Sequence, residues 1–311
     1  MNFLTRRPVA TGAVIFLAIA SVLAVANDVW LMRLSDLLIW ILFAASLNFL
    51  ISFSGMVSFG HAAYFGLGCY GFALAAQAGA PISLAVILGP VVATVGAAVY
   101  GTICVRLNKI YFAMLTLACA EITYSIIHQW YDLTGGDTGL TQFAPPLLNL
   151  GARGFAFLAL ACCAGGLLII RLVLDAPLGL VVRSVGENPD RAAALGFSQR
   201  KVQWVAFVIA GFLAGVAGTL YSAFQGNAFP DYAGMRFSLT PLVMVILGGL
   251  GSFAGPIVGA VVDKSLVGVL SHYVSLWELI MGVIVIAVVV YSPHGFWGLM
   301  KRAFTKGGPR G

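Results

Sequence analysis

Runs of about 20 apolar residues, parted by short polar stretches, recur along the whole chain. They lie near 9–26, 34–53, 56–78, 83–104, 110–127, 154–174 and 203–224. Each is long enough to cross a bilayer as a helix, the conformation that satisfies every backbone polar group within one segment. Beyond residue 237 an apolar stretch runs to Tyr291, broken by GGLGSFAGP at 248–256 and by HYVSLWE at 272–278. The spacing predicts three short crossings there, at 237–250, 254–271 and 276–291. The expected fold is all-α and polytopic, with about ten transmembrane helices in a single membrane domain over 1–311.

Positive charge orients the spans, since Lys and Arg collect on the cytoplasmic side. With the N-terminus inside, 13 of the 17 basic residues fall on that face, among them Arg6, Arg7, Arg106, Lys109 and the tail from Lys301 to Arg310. Arg33, Arg153 and Arg236 fall outside, and Lys264 lies within an apolar stretch. Both termini are therefore expected in the cytoplasm. The basic N-terminus before an apolar run reads as a first span, because no polar domain follows it.

Composition agrees with this pattern. The chain of 311 residues is 60% hydrophobic and 9% charged, where a soluble domain carries about 25% charged residues. That balance excludes a soluble enzyme, a disordered chain and a nucleic-acid binder. Five cysteines (Cys69, Cys104, Cys119, Cys162 and Cys163) sit in apolar runs without the spacing of a disulfide framework or zinc site. There is no HExxH, GxSxG or GxxxxGK[ST] motif. No catalytic residue, metal or cofactor is expected.

Two segments break the pattern. Residues 52–71 read SFSGMVSFGHAAYFGLGCYG and residues 248–259 read GGLGSFAGPIVG. Both contain Gly-x-x-Ser-Phe, at Gly55 and Ser58 and again at Gly249 and Ser252. A glycine-broken span in each half is a pointer to a transport pathway, and small residues equally serve close helix packing. His61 is an ionisable group inside the first segment; it either takes part in function or hydrogen-bonds a neighbour to hold the broken helix. Glu121, the only carboxylate well inside the first five spans, faces the path or pairs with a buried base. Asp263, Lys264 and Glu278 lie near enough to helix ends to reach the interface.

The most polar segment, 175–202, reads DAPLGLVVRSVGENPDRAAALGFSQRKV. Asn188 suits an N-cap, Pro189 the first helical position and Asp190 the first turn. Gly196 suits the residue beyond the helix end. A helix of about two turns needs something to pack on it: lipid, its own membrane domain, or a soluble partner.

At this point the residues resemble a known family. ISFSGMVSFGHAAYFGLGCYG at 51–71, YFAMLTLACAEI at 111–122, GENPDRAAALGF with the following KVQWVAFVIAGFLAGVAG over 186–218, and LVMVILGGLGSFAGPIVGA at 242–260 resemble the membrane subunits of ABC importers for branched-chain amino acids, the M-type permease in particular. The resemblance implies an ABC importer permease fold in a bacterial inner membrane and no enzyme activity of its own. It implies a sister permease in a heterodimer, two cytoplasmic ABC ATPases and a periplasmic substrate-binding protein. Residues 175–202 would be the coupling loop, with Glu187, Asn188, Asp190, Arg191, Ala193 and Gly196 meeting the ATPase. Gly55, Ser58, His61, Glu121, Gly249 and Ser252 are the candidates for the translocation path. The loops at 128–153 and 225–236 would form part of the landing surface for the binding protein. The solute would be a branched-chain or similar amino acid; permeases for urea, amides or aromatic acids share these features, and an ion-coupled transporter would draw on Glu121 and His61 instead.

Overall fold

The computed structural model describes residues 20–301, apart from 22, 24, 25, 108, 142, 144, 145, 274, 275, 293, 294, 299 and 300. Most of the span predicted at 9–26, and the tail beyond 301, lie outside the described residues. The long helices are α1 (Asp28–Asn48), α2 (Ala62–Gln77), α3 (Ile82–Cys104), α4 (Lys109–Gln129), α5 (Gly151–Asp175), α8 (Gln199–Gln225), α9 (Met235–Gly248), α10 (Gly255–Tyr273) and α11 (Trp277–Tyr291). Between α5 and α8 stand two shorter ones, α6 (Pro177–Glu187) and α7 (Pro189–Ala194). Helix positions follow the hydrophobic pattern closely. Among the described residues, five helices are long and apolar enough to cross a membrane: α1 with the turn that follows it, α3, α4, α5 and α8; α9 and α11 are shorter apolar helices.

Burial sorts the bundle into an inside and an outside. In its most apolar stretch α1 is 78% buried and α8 is 72% buried, against 28% for α3 and 33% for α5. The first two therefore form the core, and the others turn an apolar face outward to lipid. Close approach of α2 to α8 depends on small residues, as packing in lipid generally does. A side chain at Gly68 would stand 2.4 Å from the Gly215 carbonyl oxygen. The close approach brings polar groups together: Thr219 Oγ1, which donates to the Gly215 carbonyl at 2.9 Å, also lies 3.3 Å from the Gly68 carbonyl, and Cys69 Sγ donates to the Gly218 carbonyl at 3.1 Å. An aromatic cluster of Trp40, Phe43, Phe65, Tyr221 and Phe237 joins α1, α2, α8 and α9, with ring centroids 4.5–6.4 Å apart.

The two ends of the bundle differ. At one end a two-stranded antiparallel ribbon, β1 (Leu140–Thr141) and β2 (Asn227–Ala228), joins the two loops flagged at 128–153 and 225–236. At the other end lie α6, α7 and both glycine breaks.

Lys264 departs from its sequence expectation. Lys264 does not reach for an interface: its Nζ lies 3.0 Å from Asp36 Oδ2 of α1 and 4.2 Å from the centre of the Trp40 ring, while Trp40 Nε1 donates to Asp36 Oδ1 at 3.0 Å. A partly buried cation in an apolar bundle is stable only when paired, and Asp36, the second carboxylate within the first five predicted spans, supplies the pair. Asp263 is buried as well. Glu278 is exposed as expected and stands 4.0 Å from Arg236.

Candidate functional site

The first glycine segment is a built break. After Asn48, α1 widens into a π turn over Phe49–Phe53, and the chain stays largely non-helical until α2 begins at Ala62. Met56 N–H donates to the Leu50 carbonyl at 3.0 Å and Ser54 Oγ to the same oxygen at 2.7 Å. Gly55 turns the chain at φ +67°. Three helices then hold the segment. Phe59 N–H donates to Thr116 Oγ1 of α4 at 3.3 Å, Ala62 N–H to Ser238 Oγ of α9 at 3.0 Å, and His61 Nε2 lies 2.8 Å from Ser46 Oγ of α1.

Ser46 donates its one hydrogen to the Phe43 carbonyl at 2.7 Å, so its oxygen accepts from His61, which places the ring proton on Nε2. The imidazole also stacks on Phe43, 5.6 Å between centres. His61 and Ser58 are fully buried. Ser58 Oγ and His61 Nδ1 have no protein partner among the described residues. The geometry makes His61 a clamp that ties the break to α1. A glutamine amide donates as Nε2–H does, so His61→Gln is expected to lower uptake by less than about threefold at any pH. Loss of uptake in a variant that still folds would assign His61 a proton-transfer role instead.

The second break meets the first. α9 ends at Gly248, and Gly249 (φ +108°) and Gly251 (φ +80°) turn the chain back toward α10. Asn48 Nδ2 donates to the Ser252 carbonyl at 3.1 Å, Gly251 N–H donates to Ser52 Oγ at 2.9 Å, and Ser52 Oγ donates to Asn48 Oδ1 at 2.7 Å. Residues about 200 positions apart thus share one hydrogen-bond network. Gly55, Ser58, His61, Gly249 and Ser252 all belong to this double break, but Asn48 and Ser52, which join its halves, carry no motif that singles them out in sequence.

The polar loop seats directly on the first break. α6 buries Gly179, Val182 and Val185 against the bundle. Its C-terminal Gly186 packs backbone to backbone on the turn: a side chain there would stand 2.9 Å from the Ser54 carbonyl carbon, and one at Gly55 would stand 3.0 Å from the Gly186 oxygen. Arg183 lies over the Phe53 ring at 5.3 Å. Beside this contact opens a cleft of about 360 Å³, lined by Met56, Tyr111, Gly186, Pro189 and Gln203 among others.

α7 follows the predicted grammar. Asn188 Oδ1 accepts from Arg191 N–H at 3.1 Å. Gly196, at φ +88°, ends the helix, with its N–H donating to Ala193 and Phe197 N–H donating to Ala192, the paired bonds of a Schellman stop. α6 itself was missed in the sequence, where LGLVV resembles the end of a membrane span. Of α7 only Ala192 is buried. Glu187, Asp190, Arg191 and Ala193 are exposed, and so are Leu195 (75%) and Phe197 (42%), two apolar side chains that the sequence did not mark as site residues. Asn188→Ala removes a cap, a loss of about 1 kcal/mol. Amide hydrogen exchange over residues 190–195 is expected to quicken about fivefold in that variant; unchanged exchange would show that the cap does not hold α7.

Glu121 sits apart from this cluster, exposed on α4. Its Oε1 accepts from Met235 N–H at 3.2 Å, a carboxylate at the positive end of α9. At the same end Tyr232 donates to Asn227 Oδ1 at 2.7 Å, and burial pushes its hydroxyl well above the ordinary phenol range.

A family model described as "Branched-chain amino acid transport system / permease component" matches residues 29–289. The chain is 27% identical over 289 residues to the high-affinity branched-chain amino acid transport system permease protein LivM of Escherichia coli (strain K12), covering 83% of this chain and 67% of that one. It is 25% identical over 232 residues to the probable branched-chain amino acid transport permease protein LivM of Methanocaldococcus jannaschii, covering 68% of this chain and 67% of that one. Against the probable LivH permease of the same organism it is 24% identical, covering 60% and 65%. No solved structure matches the chain.

Proposed function

Because the chain belongs to the family of branched-chain amino acid transport system permease components, we propose that it is one membrane subunit of an ATP-driven importer in a bacterial inner membrane. It passes branched-chain or similar small amino acids from a periplasmic binding protein to the cytoplasm. The chain itself is a transport permease and not an enzyme; two separate cytoplasmic ATPases hydrolyse the ATP. Likeness to both LivM and LivH permeases supports a pair of related permeases around one path.

In this reading the chain crosses the membrane ten times with both termini in the cytoplasm. The end that carries α6, α7 and the double break faces the cytoplasm, and the β1–β2 end faces the binding protein. Residues 175–202 form the coupling loop, and the exposed Glu187, Asp190, Arg191, Ala193, Leu195 and Phe197 in and around α7 are the surface on which the ATPase docks. The observation that carries the reading is the seating of Gly186 on Ser54 and Gly55. A push on α7 travels through Asn188 to α6, from α6 to the first break, and through Ser52 and Asn48 to the second. Both breaks lack a continuous helical ladder, so they yield where intact helices would not. The path they border carries few fixed charges, which suits a subunit that releases its solute readily while the binding protein sets specificity.

The test is purification of a tagged copy of this chain from native membranes. A second, similar permease and an ATPase with a phosphate loop are expected to come with it. A chain that purifies alone and moves solute in vesicles without ATP would refute the reading.

A further inference from the structure

Where α3 ends and α8 begins, the bundle carries a basic pocket outside the proposed docking surface around α7. Arg106, just past the end of α3, and Arg200 and Lys201, in the first turn of α8, line a shallow depression of about 430 Å³ together with Thr102, Trp204 and Val205. All three cations are exposed, and among the described residues none stands in an ion pair. Ser198, at the N-cap of α8, makes no side-chain bond to the first-turn N–H groups. The positive end of a 27-residue helix therefore adds to the same spot.

The walls are apolar and fixed. Trp204 donates its indole N–H to the Ala98 carbonyl at 3.0 Å, which locks the ring in place. Above the pocket, Val95, Val99 and Ile103 are each more than half exposed. They share one face of α3 with Thr102, since their spacing follows the helical repeat, and Arg106 follows in the turn just beyond that face's lower end. A cluster of positive charge thus sits at the foot of an apolar stripe that runs up an outward-facing helix.

We infer that this pocket holds the headgroup of an anionic phospholipid, with its acyl chains laid along the Val95–Val99–Ile103 stripe. The pairing of charge below and apolar groove above matches the shape and polarity of one lipid molecule. Basic pockets between membrane helices at the cytoplasmic surface favour such headgroups, each cation adding a few-fold in affinity. The stripe separates a lipid from a soluble phosphate, which has no use for it.

The test uses the transporter purified from membranes on a tagged copy of this chain. It is titrated in native mass spectrometry with phosphatidylglycerol, phosphatidylcholine and inorganic phosphate. Phosphatidylglycerol is expected to bind at least about tenfold more tightly than phosphatidylcholine, and inorganic phosphate to leave it in place. The combined variant Arg106→Gln, Arg200→Gln and Lys201→Gln is expected to lose that preference. Arg33→Gln, Arg153→Gln and Arg236→Gln together, the same change of charge at other sites, keep it. The comparison of lipids on the unaltered transporter stands whether or not a variant folds. Equal binding of the two lipids, a preference that survives the first triple variant, or displacement by inorganic phosphate would each overturn the assignment. So would a preference that appears only once the ATPase has been stripped away, because the partner would then own the pocket.

Discussion

In Gly186→Leu, uptake falls by at least about tenfold while the chain still inserts and still binds its ATPase. The Gly186 contact leaves no room. A Cβ alone would stand 2.9 Å from the Ser54 carbonyl carbon and 3.1 Å from the Phe53 oxygen, and both are backbone atoms that cannot swing aside. Overpacking of this kind commonly destabilises by about 1–3 kcal/mol. Here the least costly relief is to lift α6 off the break, because α6 is held to the bundle by only three buried residues. The exposed surface of α7 is untouched, so ATP hydrolysis continues without transport. Gly55→Leu is expected to do the same with added strain, since a side chain at φ +67° brings a further cost of about 1–2 kcal/mol. Gly165→Leu is the matched control: a Cβ there meets nothing within 4 Å. Reconstituted uptake measured beside ATPase activity separates the cases. Normal uptake in Gly186→Leu would show that the loop does not act on the break.

Replacing both Leu195 and Phe197 with Asp removes the ATPase from the purified complex. The two side chains are 75% and 42% exposed immediately beyond the end of α7. Burying a large apolar side chain in an interface contributes about 1.5–3 kcal/mol. Losing two, and placing carboxylates where they would be desolvated, weakens the contact by about a hundredfold or more. The recovered ATPase is measured against the sister permease as internal standard. Leu150→Asp, an equally apolar exposed position at the far end of the bundle, is expected to leave the ratio unchanged. An undiminished ratio in the double variant would place the docking surface elsewhere.

Local features were legible in the sequence wherever one stretch of chain determines them. The apolar runs mark α3 to α5 and α8 to α11 to within about four residues, whereas α1 and the start of α2 lie five or six residues from the expected bounds, because the break at 55–61 interrupts an apolar run that reads as one helix. The Asn188-Pro189-Asp190 start and the Gly196 stop of α7 follow from capping rules that need no tertiary partner. Gly55 and Gly249 mark their breaks because only glycine sits easily at φ +67° and +108°.

What escaped depends on contacts between distant segments. Asn48 and Ser52 read as two unremarkable polar residues at the end of a span, yet they hold Gly251 and Ser252. Lys264 needs Asp36 of α1 to stay where it is, and no periodicity announces that pair. Nor does any local pattern announce that the Glu121 carboxylate accepts from the N–H at the start of α9. α6 was hidden by its own apolar face, which packs against the bundle as a membrane helix would.

In the proposed function α7 is the point where an ATPase drives this permease. Placing a photo-crosslinking residue at position 195 of the tagged chain, and illuminating native membranes, tests that contact directly. The predicted result is one dominant adduct, to a protein that carries a phosphate-binding loop. Adducts to lipid alone would contradict the account.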